Sequence, residues 1–208
     1  MARKTRADTE KTVTTILDAA ESVFLAKGVA NTTIADIAKR AEVSKGAVYG
    51  HYQDKIEVCV AVCRRGLRSL IEIPRPAFGQ PHLTRLHQWS VSYLRLGELQ
   101  PAFGKTMELL YCKCEKSPEF EPVHRVRVFI EKAAFHTAHR LLKRAATAGE
   151  IPASADLHLM NVYFQSLIDG IACTLWWTDR LNGTDPWPSV EKLLSAGIDT
   201  LRSSQAFR

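Results

Sequence analysis

Residues 33–55 read TIADIAKRAEVSKGAVYGHYQDK, and the spacing of their apolar side chains decides the fold class. Ile34, Ile37, Ala38 and Ala41 recur at helical intervals and predict a short helix with one apolar face. A second helix follows from Val43, with Ala47 and Val48 turned back onto the first. Thr33 and Ser44 stand where the two helices begin, and a hydroxyl there accepts from backbone N–H groups that the helix leaves unpaired. The outer face of the second helix then carries Lys45, Gly46, Tyr49 and Gly50, followed by His51, Tyr52 and Lys55. Small residues let a backbone come close, while a cation and hydroxyl-bearing rings reach outward. That mixture suits a helix laid in the major groove of double-stranded DNA.

With the apolar helix before it (TTILDAAESVFLAKGVANTT), the stretch resembles the helix-turn-helix of the TetR family of repressors. Further segments are similar to MexZ-type repressors, a branch of the AcrR-like local regulators of multidrug efflux operons. They are MARKTRADTEKT, GAVYGHYQDKIEVC, LLYCKCEKS, DGIACTLWWTDRL and DPW. The resemblance implies an all-α repressor that binds a palindromic operator as a homodimer, its recognition helices about 34–36 Å apart or a multiple of that. It implies base or phosphate contacts from Lys45 and Tyr49, and close approach at Gly46 and Ala47. Thr33, His51, Tyr52 and Lys55 would fix phosphates, with Ala35 and Ser44 on the same surface. Two alternatives stay open: Tyr49 packed inside the head, and His51 as a structural cap. Two positions depart from the family pattern. Glu42 occupies a turn position where the family has glycine and the backbone visits positive φ, at a cost of about 1 kcal/mol for other residues. Gly50 stands where most members carry an aromatic ring, and MexZ-type members share the small residue.

Length and charge fit this reading. The 208 residues allow one sizeable helical body or two small units. Strand signals are scarce. The net charge of +6 leans toward the helix-turn-helix end, where the first 82 residues hold 13 basic and 9 acidic side chains against 15 and 13 in the other 126. No run of 18 apolar residues exists, and TRADTEKT follows the basic N-terminus, so neither a membrane span nor a signal peptide is expected. Five cysteines without an export signal read as reduced thiols in the cytoplasm.

In chain order, residues 1–9 are a basic tail or an arm that touches DNA, carrying Arg3, Lys4 and Arg6. A first helix covers 10–27 and Gly28 ends it. A fourth runs over 55–73 until PRPAFGQP stops it, and by resemblance it links head to sensor body. Five more are expected near 83–99, 102–114, 120–148, 156–181 and 188–203, about nine helices in all. Breaks fall at Pro101, Ser117–Pro118, 149–152 and 183–186. The expected division is a DNA-binding head over 1–55, with its basic arm, and a regulatory and dimerisation body over 56–208, with helix 56–73 as the link.

Trp89, Tyr93, Phe103, Met107, Leu110, Tyr111, Ile130, Phe164, Ile168 and Trp176 lie on apolar faces of the body helices. They are either a core or a cavity for a flat, amphipathic, drug-like inducer. An anti-repressor protein is the other inducer the resemblance leaves open. The eighth helix is apolar on more than one face and needs cover on several sides, which a second subunit supplies. Tyr163, Leu167, Ile171 and Leu175, with Leu194, Ile198 and Leu201 on the ninth helix, look like the family's four-helix dimer seam.

A rival reading is a helical metal- or thiol-dependent enzyme or sensor. Cys59 and Cys63 stand one turn apart, Cys112 and Cys114 flank Lys113, which could lower a thiol pKa, and His136 and His139 share a face. Against it, no CxxC pair, GxSxG, P-loop, GxGxxG or HExxH occurs, so no catalytic site, cofactor or metal is expected.

Overall fold

The computed structural model describes residues 6–72, 79–178 and 185–207. Among these the regular elements are helical: α1 Arg6–Lys27, α2 Ile34–Arg40, α3 Lys45–Tyr49, α4 Lys55–Gly66, α5 His82–Leu99, α6 Pro101–Glu108, α7 Glu121–Thr147, α8 Leu157–Trp177 and α9 Trp187–Ser203. No described helix is long and apolar enough to cross a membrane. Arg3 and Lys4 of the expected arm, most of the Pro-rich break at 74–81, and Gly183 and Thr184 lie outside the described residues.

Several boundaries differ from the sequence reading for local reasons. α1 begins at Arg6 rather than residue 10; Asp8 in its first turn complements the helix dipole, and its carbonyl accepts from Thr12 Oγ1 at 2.8 Å. α4 gives way at Leu67 to a 3-10 helix, Leu67–Glu72, the tightening common at helix C-termini. α6 ends at Glu108 and passes into a π turn, Leu109–Lys113. The Lys113 carbonyl there accepts from the Val29 N–H at 3.1 Å.

Two compact units result. The first comprises Met1–Arg68 and Pro101–Phe129, the second Ser69–Gln100 and Ile130–Arg208. The compact units do not coincide with a boundary after Lys55, because α4 packs against α1 and α6 and so falls in the first unit. In the first unit Ile16, Ala20, Phe24, Ile37, Val48, Val58 and Val62 are buried. The nearly buried Glu21 takes Lys105 at 2.9 Å and Arg65 at 3.2 Å, and Arg65 also reaches Asp18 at 2.6 Å. In the second unit α5, α8 and α9 pack together around Leu83, Leu86, Leu94, Phe164, Ile168, Leu194 and Leu201, all buried.

The turn between α2 and α3 shows how the head is set. After the C-cap Ala41, Glu42 adopts φ 56, the left-handed region expected at this position. Its N–H bonds to the Lys39 carbonyl at 3.3 Å, and the Val43 N–H to Ala38 at 3.0 Å. This is the Schellman pairing that a glycine ordinarily occupies. Glu42 is exposed, so Glu42→Gly loses no packing and is expected to raise stability by about 1 kcal/mol. Thermal melts of the two proteins check this, and a lower Tm for the variant contradicts it.

Candidate DNA interface and the sites of the body

α2 and α3 are each started by their own cap. Thr33 Oγ1 accepts from Asp36 N at 3.2 Å while Asp36 Oδ2 accepts from Thr33 N at 2.8 Å, a reciprocal capping box. Ser44 Oγ accepts from Ala47 N at 3.1 Å. The caps fix where α3 begins, and so which side chains face outward. Val48 is fully buried and Ala47 half-buried, whereas Lys45, Gly46, Tyr49 and Gly50 are exposed. Tyr49, 56% exposed, is not packed inside the head. Neither glycine is required by the fold: a Cβ on Gly46 meets only Ser44 Oγ at 3.7 Å, and one on Gly50 makes ordinary contacts of 3.4–3.5 Å. Their smallness leaves α3 a shallow surface beside Tyr49.

The flanking residues are more constrained. Thr33 is exposed, with its hydroxyl already donating to Asp36 Oδ2 at 2.6 Å. Ala35, His51 and Tyr52 are half-buried. Burial, reinforced by Glu57 and opposed by Arg65, raises the Tyr52 phenol above its ordinary pKa, so it remains a neutral donor. Lys55 is the largest departure from expectation: its Nζ donates to the Ala30 carbonyl at 2.8 Å and lies 3.7 Å from Glu119 Oε1.

Lys27 Nζ sits 2.7 Å from Asp36 Oδ2. That ammonium, with the Thr33 hydroxyl and N–H, holds the Asp36 carboxyl far below the usual carboxylate range. A depressed folded pKa contributes stability that is complete above the unfolded value, about 3.9, and lost as pH falls through that value toward the folded one. Asp36→Asn is therefore expected to flatten the fall of Tm below about pH 4. Parallel acid limbs in the two proteins would remove Asp36 from the account.

Residues 16–62 match the family model of bacterial regulatory proteins, tetR family. The HTH-type transcriptional repressor BepR of Brucella suis biovar 1 (strain 1330) is 33% identical over 97% of this chain and 97% of its own. The chain belongs to the TetR family. The crystal structure of MexZ, a key repressor responsible for antibiotic resistance in Pseudomonas aeruginosa, matches at a TM-score of 0.85 and 46% identity, covering 95% of this chain and 98% of that one. NalD, the secondary repressor of the MexAB-OprM multidrug efflux pump in Pseudomonas aeruginosa, matches at 0.80 and 25% identity over 96% and 100%. These TetR relatives are transcriptional regulators and not enzymes, and so is this chain.

Cys59 and Cys114 of this TetR regulator do not have the environment of reactive thiols. Cys59 and Cys63 are buried in α4; the hydrogen bond to Cys63 and then burial push the Cys59 thiol well above its ordinary pKa. Burial pushes Cys114 up to about 11, and Lys113, expected to lower it, lies 3.6 Å from Glu108 instead. A thiolate nucleophile needs the opposite shift. Among the described residues no group of three or more His, Cys, Asp or Glu side chains could hold a metal ion.

The expected pocket residues fall in both units. Phe103, Met107, Leu110 and Tyr111 belong to the first, where the first three are buried and Tyr111 is 41% exposed. Trp89, Tyr93, Ile130, Phe164, Ile168 and Trp176 belong to the second. There Trp89 stacks on Tyr93 with centroids 6.0 Å apart, and Tyr93 meets Trp176 at 5.8 Å. Gly97 makes room for this group, since a Cβ there would stand 2.5 Å from Trp176 Nε1. Sequence reasoning misses the acids beside it. Burial and then the charges of Asp169 and Glu131 raise the Tyr93 pKa, and Asp169 is itself raised by burial and by Glu131 while Gln165 opposes. The signal that could have found Asp169 is its place one turn after Gln165 on a mostly apolar helix.

Of the expected dimer seam, Ile171, Leu194, Ile198 and Leu201 are buried within the single chain, and Tyr163, Leu167 and Leu175 are half-buried against the same core. The large apolar side chains exposed on the described parts of α8 and α9 are Leu159, Val162 and Leu193.

Proposed function

We propose that the chain represses transcription of a multidrug efflux operon by occupying a palindromic operator as a homodimer. The observation that carries this is the outer face of α3, where Lys45, Gly46, Tyr49 and Gly50 are exposed while Ser44 caps the helix and Val48 anchors it. A rigid short helix with a cation, a phenol and two glycines outward fits readout in the major groove. The efflux target is supported by the likeness to NalD. In this reading 1–55 is the DNA-binding head, 56–208 the regulatory and dimerisation body, and the protein acts in the cytoplasm. The partner subunit covers α8 and α9 through Leu159, Val162 and Leu193.

Release requires something that binds one conformation better than the other. The ring group of Trp89, Tyr93 and Trp176 with two neighbouring carboxylates favours a flat amphipathic molecule, and an anti-repressor protein is the other route. Sedimentation and footprinting test the proposal together. A dimer protecting two symmetric half-sites about 34–36 Å apart, or a multiple of that, is expected. A monomer, or one unsymmetric footprint, contradicts it.

A further inference from the structure

We propose that Glu119 competes with an operator phosphate for the ammonium of Lys55, and thereby sets how tightly the chain holds DNA. The inference rests on the operator reading above and concerns a residue outside the helix-turn-helix. Lys55 Nζ donates to the Ala30 carbonyl at 2.8 Å, lies 3.7 Å from Glu119 Oε1 and sits 5.8 Å from the centroid of the Phe120 ring. An ammonium has three N–H donors, and the Ala30 carbonyl takes only one. The Glu119 contact is an ion pair beyond hydrogen-bond length, and its side chain is 60% exposed against 21% for Lys55. Such a pair is weak enough for a phosphate to displace.

The surroundings leave Glu119 as the acid that matters. Asp54 Oδ1 accepts from Glu57 N at 2.8 Å as the cap of α4, and Glu57 Oε2 accepts from Gln53 N at 2.6 Å. A cleft of about 430 Å³ opens beside Lys55, lined among others by Tyr49, Gln53, Asp54, Glu119 and Pro122. Tyr49 in its lining belongs to the operator face, so a phosphate oxygen entering this cleft meets both Lys55 and Glu119. The single positive charge of Lys55 cannot neutralise both anions at once. Glu119 is held in place by its own turn, Pro118–Phe120, whose Phe120 is 2% exposed.

The test is a salt-series binding titration of the full chain, E119Q, K55Q and the double variant. Each is measured on the duplex upstream of its own gene and on a scrambled duplex of equal length. E119Q is expected to bind roughly two- to tenfold more tightly at low salt. Its slope of log affinity against log salt should steepen by about 0.9 per recovered phosphate, two phosphates per dimer. The same substitution in the K55Q background should change neither quantity. An unchanged slope in E119Q overturns the proposal. So does tighter binding that persists without Lys55, which would mean general repulsion, and so does weaker binding, which would make Glu119 a positioning residue. If K55Q fails to fold, the slope of E119Q alone decides. Failure of the operator reading shows separately, as a parent chain that does not distinguish the two duplexes, while the slopes remain readable on either.

Discussion

Tyr49→Ala is expected to weaken binding to the chain's own upstream duplex by about 1–3 kcal/mol per half-site while leaving the fold intact. Tyr49 ends α3 and is 56% exposed, so truncation opens no cavity and stability should stay within about 0.5 kcal/mol. What it removes is the ring that stands with Lys45 over a surface otherwise made of Gly46, Gly50 and the half-buried Ala47. A homodimer suffers this loss twice, so the preference over a scrambled duplex should fall steeply while non-specific binding changes little. Titrations of the variant and parent on both duplexes check it. Equal discrimination by the two proteins would take Tyr49 out of the recognition surface.

The largest effect on stability is expected at Gly66, the last residue of α4. A Cβ there would stand 2.0 Å from Thr106 Oγ1, 2.7 Å from the Ala102 carbonyl oxygen and 3.0 Å from Thr106 Cβ. Thr106 is 1% exposed and Ala102 contributes backbone, so neither can swing aside. Alanine in place of glycine favours a helix by about 1 kcal/mol, but overpacking between two helices costs about 1–3 kcal/mol and occasionally more. With α4 forced from α6, Gly66→Ala is expected to lose stability outright, about 2–4 °C in Tm for each kcal/mol. Thr106→Ala in the same chain removes the closest clash and leaves the Ala102 carbonyl, so it should restore only part of the loss. Gly197 is the internal comparison: its Cβ would meet Leu167 Cδ2 at 2.4 Å, the mobile end of a side chain, and alanine there should cost less. A Gly66→Ala protein as stable as the parent would mean that α4 and α6 are not held this closely.

Local chemistry makes part of the head legible from its residues alone. Thr33 and Ser44 are capping residues at capping positions, whereas the left-handed turn at Glu42 is read through the family resemblance and the Asp36 half of the capping box only in the structure. Contacts between distant segments are not legible in this way. LLYCK keeps helical apolar spacing throughout, and nothing local reports that its last carbonyl pairs with Val29 in a π turn. Lys55 is expected to fix a phosphate, and no spacing in the sequence reports that its ammonium donates to the Ala30 carbonyl and lies beside Glu119. Periodicity identifies Leu194, Ile198 and Leu201 as apolar, but it cannot say whether their cover is the same chain or another. The structure shows that it is the same chain. Asp169 and Glu131 are exposed and read in sequence as ordinary surface charges, and only the fold shows that their charge bears on Tyr93.

The central claim is sequence-specific repression through α3, and the most direct measurement is a salt-controlled binding titration on the DNA upstream of the chain's own gene. A scrambled duplex of the same length runs beside it at each salt concentration. The account predicts a preference for the native duplex of about a thousandfold or more, since specific sites exceed non-specific DNA by at least that. Equal affinity for the two duplexes, both falling steeply with salt, would leave only charge-driven binding and contradict it.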